Sequence, residues 1–95
     1  MVIYGSETVA EFGKKHAAAR KPLARFLEIA EQAVWKHFPD VKATFPATDY
    51  VSKTGVLIFD IAGNNYRMFA RVDFEEQLLW IDSVMTHKEY ERKGL

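Results

Sequence analysis

Ninety-five residues, 48% of them hydrophobic and 14% aromatic, suffice for one compact domain, residues 1–95, whose core needs no covalent staples. The chain has no cysteine, which excludes disulfides and thiolate metal sites, and no apolar run approaches the ~20 residues of a membrane span. Thirteen basic and thirteen acidic residues cancel. A chain that holds nucleic acid by charge ordinarily carries a positive surplus, so an RNA role here must rest on a local patch or on a partner that presents the RNA.

In chain order, Val2-Ile-Tyr4 reads as a short edge strand. Ser6 is placed to cap a helix with Glu7 in its first turn, Val9 and Phe12 on one face, and an end near Gly13 to His16. The opening residues carry neither a basic leader nor a long apolar stretch, so a cytoplasmic location is expected. Leu23, Phe26, Leu27, Ala30, Ala33 and Val34 recur at intervals of three and four, which predicts a second helix with Pro22 in its first turn. Lys21, Arg25, Glu28 and Glu31 fall off that stripe and read as a solvated face. From Trp35 to Gly55 the periodicity is lost. Pro39 and Pro46 punctuate an irregular connection with one helical turn at Asp40 to Ala43, pinned by Trp35, Phe38, Phe45 and Tyr50. Lys42 and Lys53 are the candidate functional cations of that segment, or ordinary surface charges.

The C-terminal half reads as a meander. Val56 to Ile61 is one strand, Ala62-Gly-Asn-Asn65 a hairpin loop, Tyr66 to Asp73 the next strand, and Leu78 to Met85 the third. Four-residue loops set Ile61 against Tyr66 and Asp73 against Leu78, a register that a bulge would shift. Leu57, Phe59, Ile61, Tyr66, Met68, Ala70, Val72, Leu79, Ile81 and Met85 then share an apolar face that must meet the helices. Ile58, Asp60, Arg67, Phe69, Arg71, Trp80, Asp82 and Val84 share the other, with Asp60 beside Arg67 and Arg71 in cation–π reach of Trp80. Two readings stay open for these arginines: structural pairing, or anion binding, since a guanidinium matches phosphate oxygens in a bidentate way.

Thr86-His-Lys-Glu89 has the form of a capping box, which starts a final helix running to Lys93 and puts His87 and Tyr90 three residues apart along one side. An imidazole and a phenol, set beside strand arginines, are the side chains that acid–base cleavage of a phosphodiester requires. His16, His37 and His87 are dispersed and show no ligand spacing, so neither a metal nor another cofactor is expected. The predicted elements make an α+β fold, with N-terminal helices on one face of a small, mainly antiparallel sheet and a short C-terminal helix.

Trp35, Asp40-Val-Lys42, Phe45-Pro46, Asp49, the run Ile58-Phe-Asp-Ile-Ala-Gly-Asn-Asn-Tyr-Arg67 and Thr86-His-Lys-Glu-Tyr90 together resemble the HigB family of bacterial toxins, within the RelE-like group of mRNA interferases. The resemblance runs from about Trp35 to Tyr90. It implies a RelE-like fold, endoribonuclease activity on mRNA, in many relatives on the ribosome, and a cognate helix-turn-helix antitoxin that blocks the toxin. It also implies site residues: Arg67 as ligand of the scissile phosphate, His87 and Tyr90 as general base and acid, and Lys42 as a phosphate contact. Arg71 and Lys53 join the candidate RNA contacts through strand geometry and loop position, and Lys88 is counted with them. Asp60 stands where relatives often carry Asn. Two other classes compete with the nuclease: a binding module of the same fold that cleaves nothing, and a small-molecule enzyme using the same cations for a carboxylate or phosphate.

Overall fold

A computed structural model describes residues 1–94; Leu95, the last residue of the expected domain, lies outside the described residues. Strand β1 (Val2–Tyr4) leads into helix α1 (Ser6–Lys15), a 3-10 turn (Ala17–Ala19) and helix α2 (Arg20–Gln32). Helix α3 (Phe38–Thr44) and strand β2 (Asp49–Val51) follow, then strands β3 (Val56–Ile61), β4 (Tyr66–Asp73) and β5 (Leu78–Thr86), and helix α4 (His87–Arg92). The strands form one sheet in the order β1-β5-β4-β3-β2, antiparallel throughout except that β1 runs parallel to β5. This is the expected α+β arrangement of N-terminal helices on a mainly antiparallel sheet.

Helix α2 buries Leu23, Phe26 and Ala30, the predicted stripe. It stops sooner than periodicity suggests. The backbone extends at Ala33 so that Trp35 can enter the core, which leaves Val34 70% exposed. The Met1 amino group donates to the carbonyls of Glu31 and Ala33, meeting acceptors that the end of the helix leaves open. Ser6 does not cap α1. That position belongs to Gly5, at φ 94°, where an added Cβ would come within 2.5 Å of the Ile81 carbonyl oxygen. Only a residue without a side chain lets β1 turn into α1 this close to β5. Gly5→Ala is therefore expected to cost about 1–3 kcal/mol, read as a lower urea midpoint at unchanged slope.

The segment expected to be irregular is more ordered than its sequence suggests. Pro39 sits in the first turn of α3, where its missing N–H costs nothing, so the helix runs over seven residues rather than one turn. Strand β2 went unpredicted because three residues carry no readable alternation; its pairing with β3 defines it. Trp35, Phe26, Phe45 and Phe59 form the aromatic heart of the core, with ring centroids 4.7–6.5 Å apart.

Both hairpins keep the expected register, Ile61 opposite Tyr66 and Asp73 opposite Leu78. Between them the ladder slips: Ala70 faces Ile81, whereas Phe69 faces Ser83, so Asp82 is an extra residue in β5. Past that bulge the alternation inverts. Val84 pairs with Met68 on the helix side, and Met85 pairs with Arg67 on the opposite face, the reverse of the expected assignment of both. The Arg71–Trp80 cation–π contact is also replaced. Arg71 Nε binds Asp82 Oδ2 at 3.1 Å, and Trp80 stacks on Tyr4 instead.

Candidate active site

Arg67 pairs with Asp60 on β3 and with Met85 on β5, on the sheet face turned away from α1 and α2. Its Nε lies 3.2 Å from Asp60 Oδ1, and Nη1 donates to the carbonyls of Asn64 at 2.8 Å and Tyr66 at 3.3 Å. The side chain is only 11% exposed. These partners compensate the desolvation of the enclosed guanidinium and fix its orientation.

Helix α4 packs on this face through Tyr90, and its first turn is stabilised locally. Thr86 Oγ1 accepts from the Glu89 amide at 3.2 Å, and Glu89 Oε1 accepts from the Thr86 amide at 2.9 Å, the expected capping box. The Thr86 amide, then its hydroxyl, hold the Glu89 carboxyl below the usual glutamate range, with His16 and Arg92 adding charge attraction against weak desolvation. A carboxyl bound more tightly as the anion stabilises the fold above its unfolded pKa and loses that contribution as pH falls through its depressed folded value. Acidification is thus expected to fray the start of α4 from the ordinary glutamate range downward. Faster hydrogen exchange of the Thr86 amide would report it, and Glu89→Ala should show the same exchange already at neutral pH.

Tyr90 docks α4 on the strand. Its ring meets Phe69 edge-on with centroids 6.1 Å apart, and the Arg67 guanidinium carbon lies 5.0 Å from its centroid. Arg67 and Tyr90 are therefore in direct contact. His87 is three residues before Tyr90 on α4, its backbone amide donating to the Asn65 carbonyl of the β3–β4 loop at 3.0 Å. Its Nε2 engages Glu91 Oε1, while Nδ1 is enclosed with no hydrogen-bond partner among the described residues. Glu91 lies four residues after His87, the spacing that brings two side chains together on one side of a helix.

Among the described residues, none of the other candidates bonds to Arg67, His87 or Tyr90. Lys88 is exposed on α4. Arg71 lies four residues beyond Arg67 on β4, about 13 Å along the strand, in its ion pair with Asp82. Lys53 is exposed in the β2–β3 turn, next to the paired residues Val51 and Val56 and so at the end of β3 far from Asp60. Lys42 is exposed in the last turn of α3, an element anchored through buried Val41.

Asp60 opens onto two concavities, one of about 450 Å³ lined by Lys21, Arg25 and Phe45 among others, and one of about 210 Å³ beside Pro46 and Gly63. Lys21 and Arg25, read from sequence as a solvated face, thus rim the larger one. Among the described residues no cluster of His, Asp and Glu is arranged to hold a metal ion, and no helix is long and apolar enough to cross a membrane.

Residues 19–93 match the family model described as HigB_toxin, the RelE-like toxic component of a toxin–antitoxin system. Over 94 residues, 96% of this chain and 88% of the relative, it is 30% identical to the mRNA interferase toxin HigB of Escherichia coli strain K12. The mRNA interferases HigB of Escherichia coli O157:H7 and Shigella flexneri match to the same extent. The match spans all of α2 and α3, strands β2 to β5 and α4, among them the elements that carry Arg67, His87 and Tyr90, and the chain belongs to the HigB toxin family.

Proposed function

We propose that this protein is an endoribonuclease toxin: a single domain, residues 1–95, that cleaves mRNA in the cytoplasm, in the setting of the ribosome, and is neutralised by a helix-turn-helix antitoxin. The observation that carries this reading is the contact between Arg67 and Tyr90, a fixed cation under a phenol at the edge of a helix that also carries His87. The chemistry runs on side chains. His87 takes the proton of a ribose 2′-hydroxyl, and the resulting oxyanion attacks the adjacent phosphorus. Arg67 stabilises the charge that builds on the phosphorane oxygens. The P–O5′ bond then breaks, leaving a 2′,3′-cyclic phosphate, and Tyr90 gives its proton to the departing 5′-oxygen. For His87 to act, its Nε2 must exchange Glu91 for the ribose hydroxyl. Lys88, Arg71, Lys42 and Lys53 are assigned to the RNA backbone. A neutral chain gains little from long-range attraction to RNA, and a ribosome that presents the message removes that need.

The test is cleavage of a defined mRNA in a translating extract by the wild type and by His87→Gln. The wild type is expected to cut and His87→Gln to cut about 10²–10⁴-fold more slowly, the usual contribution of a general base. A second reading has its own support: Arg67 is enclosed and paired with Asp60, and His87 is held by Glu91. These are the features of a catalytically silent module that binds RNA or protein, and a wild type that leaves mRNA intact in the extract would establish it.

A further inference from the structure

Tyr4 and Trp80 form an exposed aromatic platform that the catalytic reading does not use. Their rings stack with centroids 5.3 Å apart and planes inclined by 23°, yet they stay 47% and 46% exposed. Tyr4 is the register partner of Trp80, and Trp80 that of Arg71, so all three lie on the face that carries Arg67 and Tyr90. An isolated exposed aromatic on a sheet is unremarkable in a folded domain. Stacked rings that remain nearly half exposed, beside an exposed guanidinium on the strand that leads to Arg67, can extend their stack by one nucleobase and hold its phosphate.

We infer that the Tyr4–Trp80 pair is a base-stacking subsite for single-stranded RNA, with Arg71 contacting the phosphate of the stacked nucleotide. The inference rests on the proposed action on RNA and names a contact remote from the reacting bond. Charge balance favours this occupant. With thirteen cations and thirteen anions, the chain gains little from counterion release, whereas stacking needs no net charge and accepts every base. Arg71 is available for it. Its pair with Asp82 is solvent-exposed on both sides, at 61% and 42%, and such pairs exchange partners at small cost. Along β4, Arg71 is about 13 Å from Arg67, so one short oligonucleotide spans both.

Tryptophan emission reads the platform directly, because Trp35 is 1% exposed and Trp80 46% exposed. The full chain is titrated with a short 2′-O-methyl oligoribonucleotide of mixed sequence, which lacks the attacking hydroxyl. Saturation is expected to quench the accessible emission. Trp80→Leu and Tyr4→Leu should each bind about tenfold more weakly, and Trp80→Phe, which keeps an aromatic face, should lose less than about threefold. Both side chains are half exposed and only their mutual stack is lost, so thermal midpoints are expected to fall by no more than about 10 °C and serve as the folding control. Unchanged affinity in Trp80→Leu, or emission indifferent to saturating RNA, overturns the inference. So does loss of antitoxin binding in Trp80→Leu at unchanged RNA affinity, which would make the pair a protein-docking surface. A wild type that binds the oligonucleotide through Trp80 but cuts no mRNA leaves the platform standing without the nuclease; cutting that is insensitive to Trp80→Leu does the opposite.

Discussion

Arg67→Ala is expected to lower mRNA cleavage in a translating extract by about 10²–10³-fold, the scale of losing one preorganised donor to a developing oxyanion. The substitution also has a structural cost. It leaves the Asp60 carboxylate, 25% exposed, without its cation and removes the donor to the Asn64 carbonyl. Activity and stability must therefore be separated. In Arg67→Ala combined with Asp60→Asn, no unpaired charge remains, so thermal stability should recover toward the wild type while cleavage stays low. Asp60→Asn alone should fold and keep cutting, since it frees the guanidinium from its ionic partner. Arg67→Lys should recover only part of the rate, because an ammonium lacks the planar fork that meets two phosphate oxygens. Cleavage by the double variant at the wild-type rate would remove Arg67 from the mechanism, and the bonds to Asp60, Asn64 and Tyr90 would then be its whole role.

Trp35→Ala is expected to be the most damaging single change to the fold, at about 3–5 kcal/mol. Trp35 is 1% exposed and packs its ring against Phe45 and Phe59. Its Nε1 donates to Thr44 Oγ1 at 3.0 Å, which holds α3 in place. The Trp35 carbonyl accepts from Gln77 Nε2 at 2.6 Å, and its amide donates to Gln77 Oε1 at 3.3 Å, which ties the end of α2 to the β4–β5 turn. Domains of this size are stable by only about 5–15 kcal/mol, and each kcal/mol moves the melting temperature by about 4–8 °C. A fall of roughly 15 °C or more in the thermal midpoint is the expected reading. Trp35→Phe should keep the stacking, lose the Thr44 bond and fall well short of that loss. A Trp35→Ala midpoint within a few degrees of the wild type would mean that the aromatic cluster closes over the gap.

What could be read directly from the residues was whatever neighbours along the chain decide. The Thr86–Glu89 capping box, the stripe Leu23-Phe26-Ala30 and the two hairpin registers all stood as expected. Each is set by groups within a few residues of one another, or by a loop whose length leaves one alignment. The Asp60–Arg67 ion pair followed from the first hairpin in the same way. Other features had no local cause. The extra residue Asp82 exchanged the faces of Val84 and Met85 and took Arg71 from Trp80, yet nothing in Ile81-Asp-Ser83 marks a bulge. Strand β2 is too short to show a pattern. The parallel seating of β1 beside β5, the Tyr4–Trp80 stack and the closure of Tyr90 over Arg67 join segments far apart in the chain. Such contacts form only when packing of the whole molecule brings those segments together, because their energies depend on shape complementarity across the fold rather than on the conformational preferences of any one stretch.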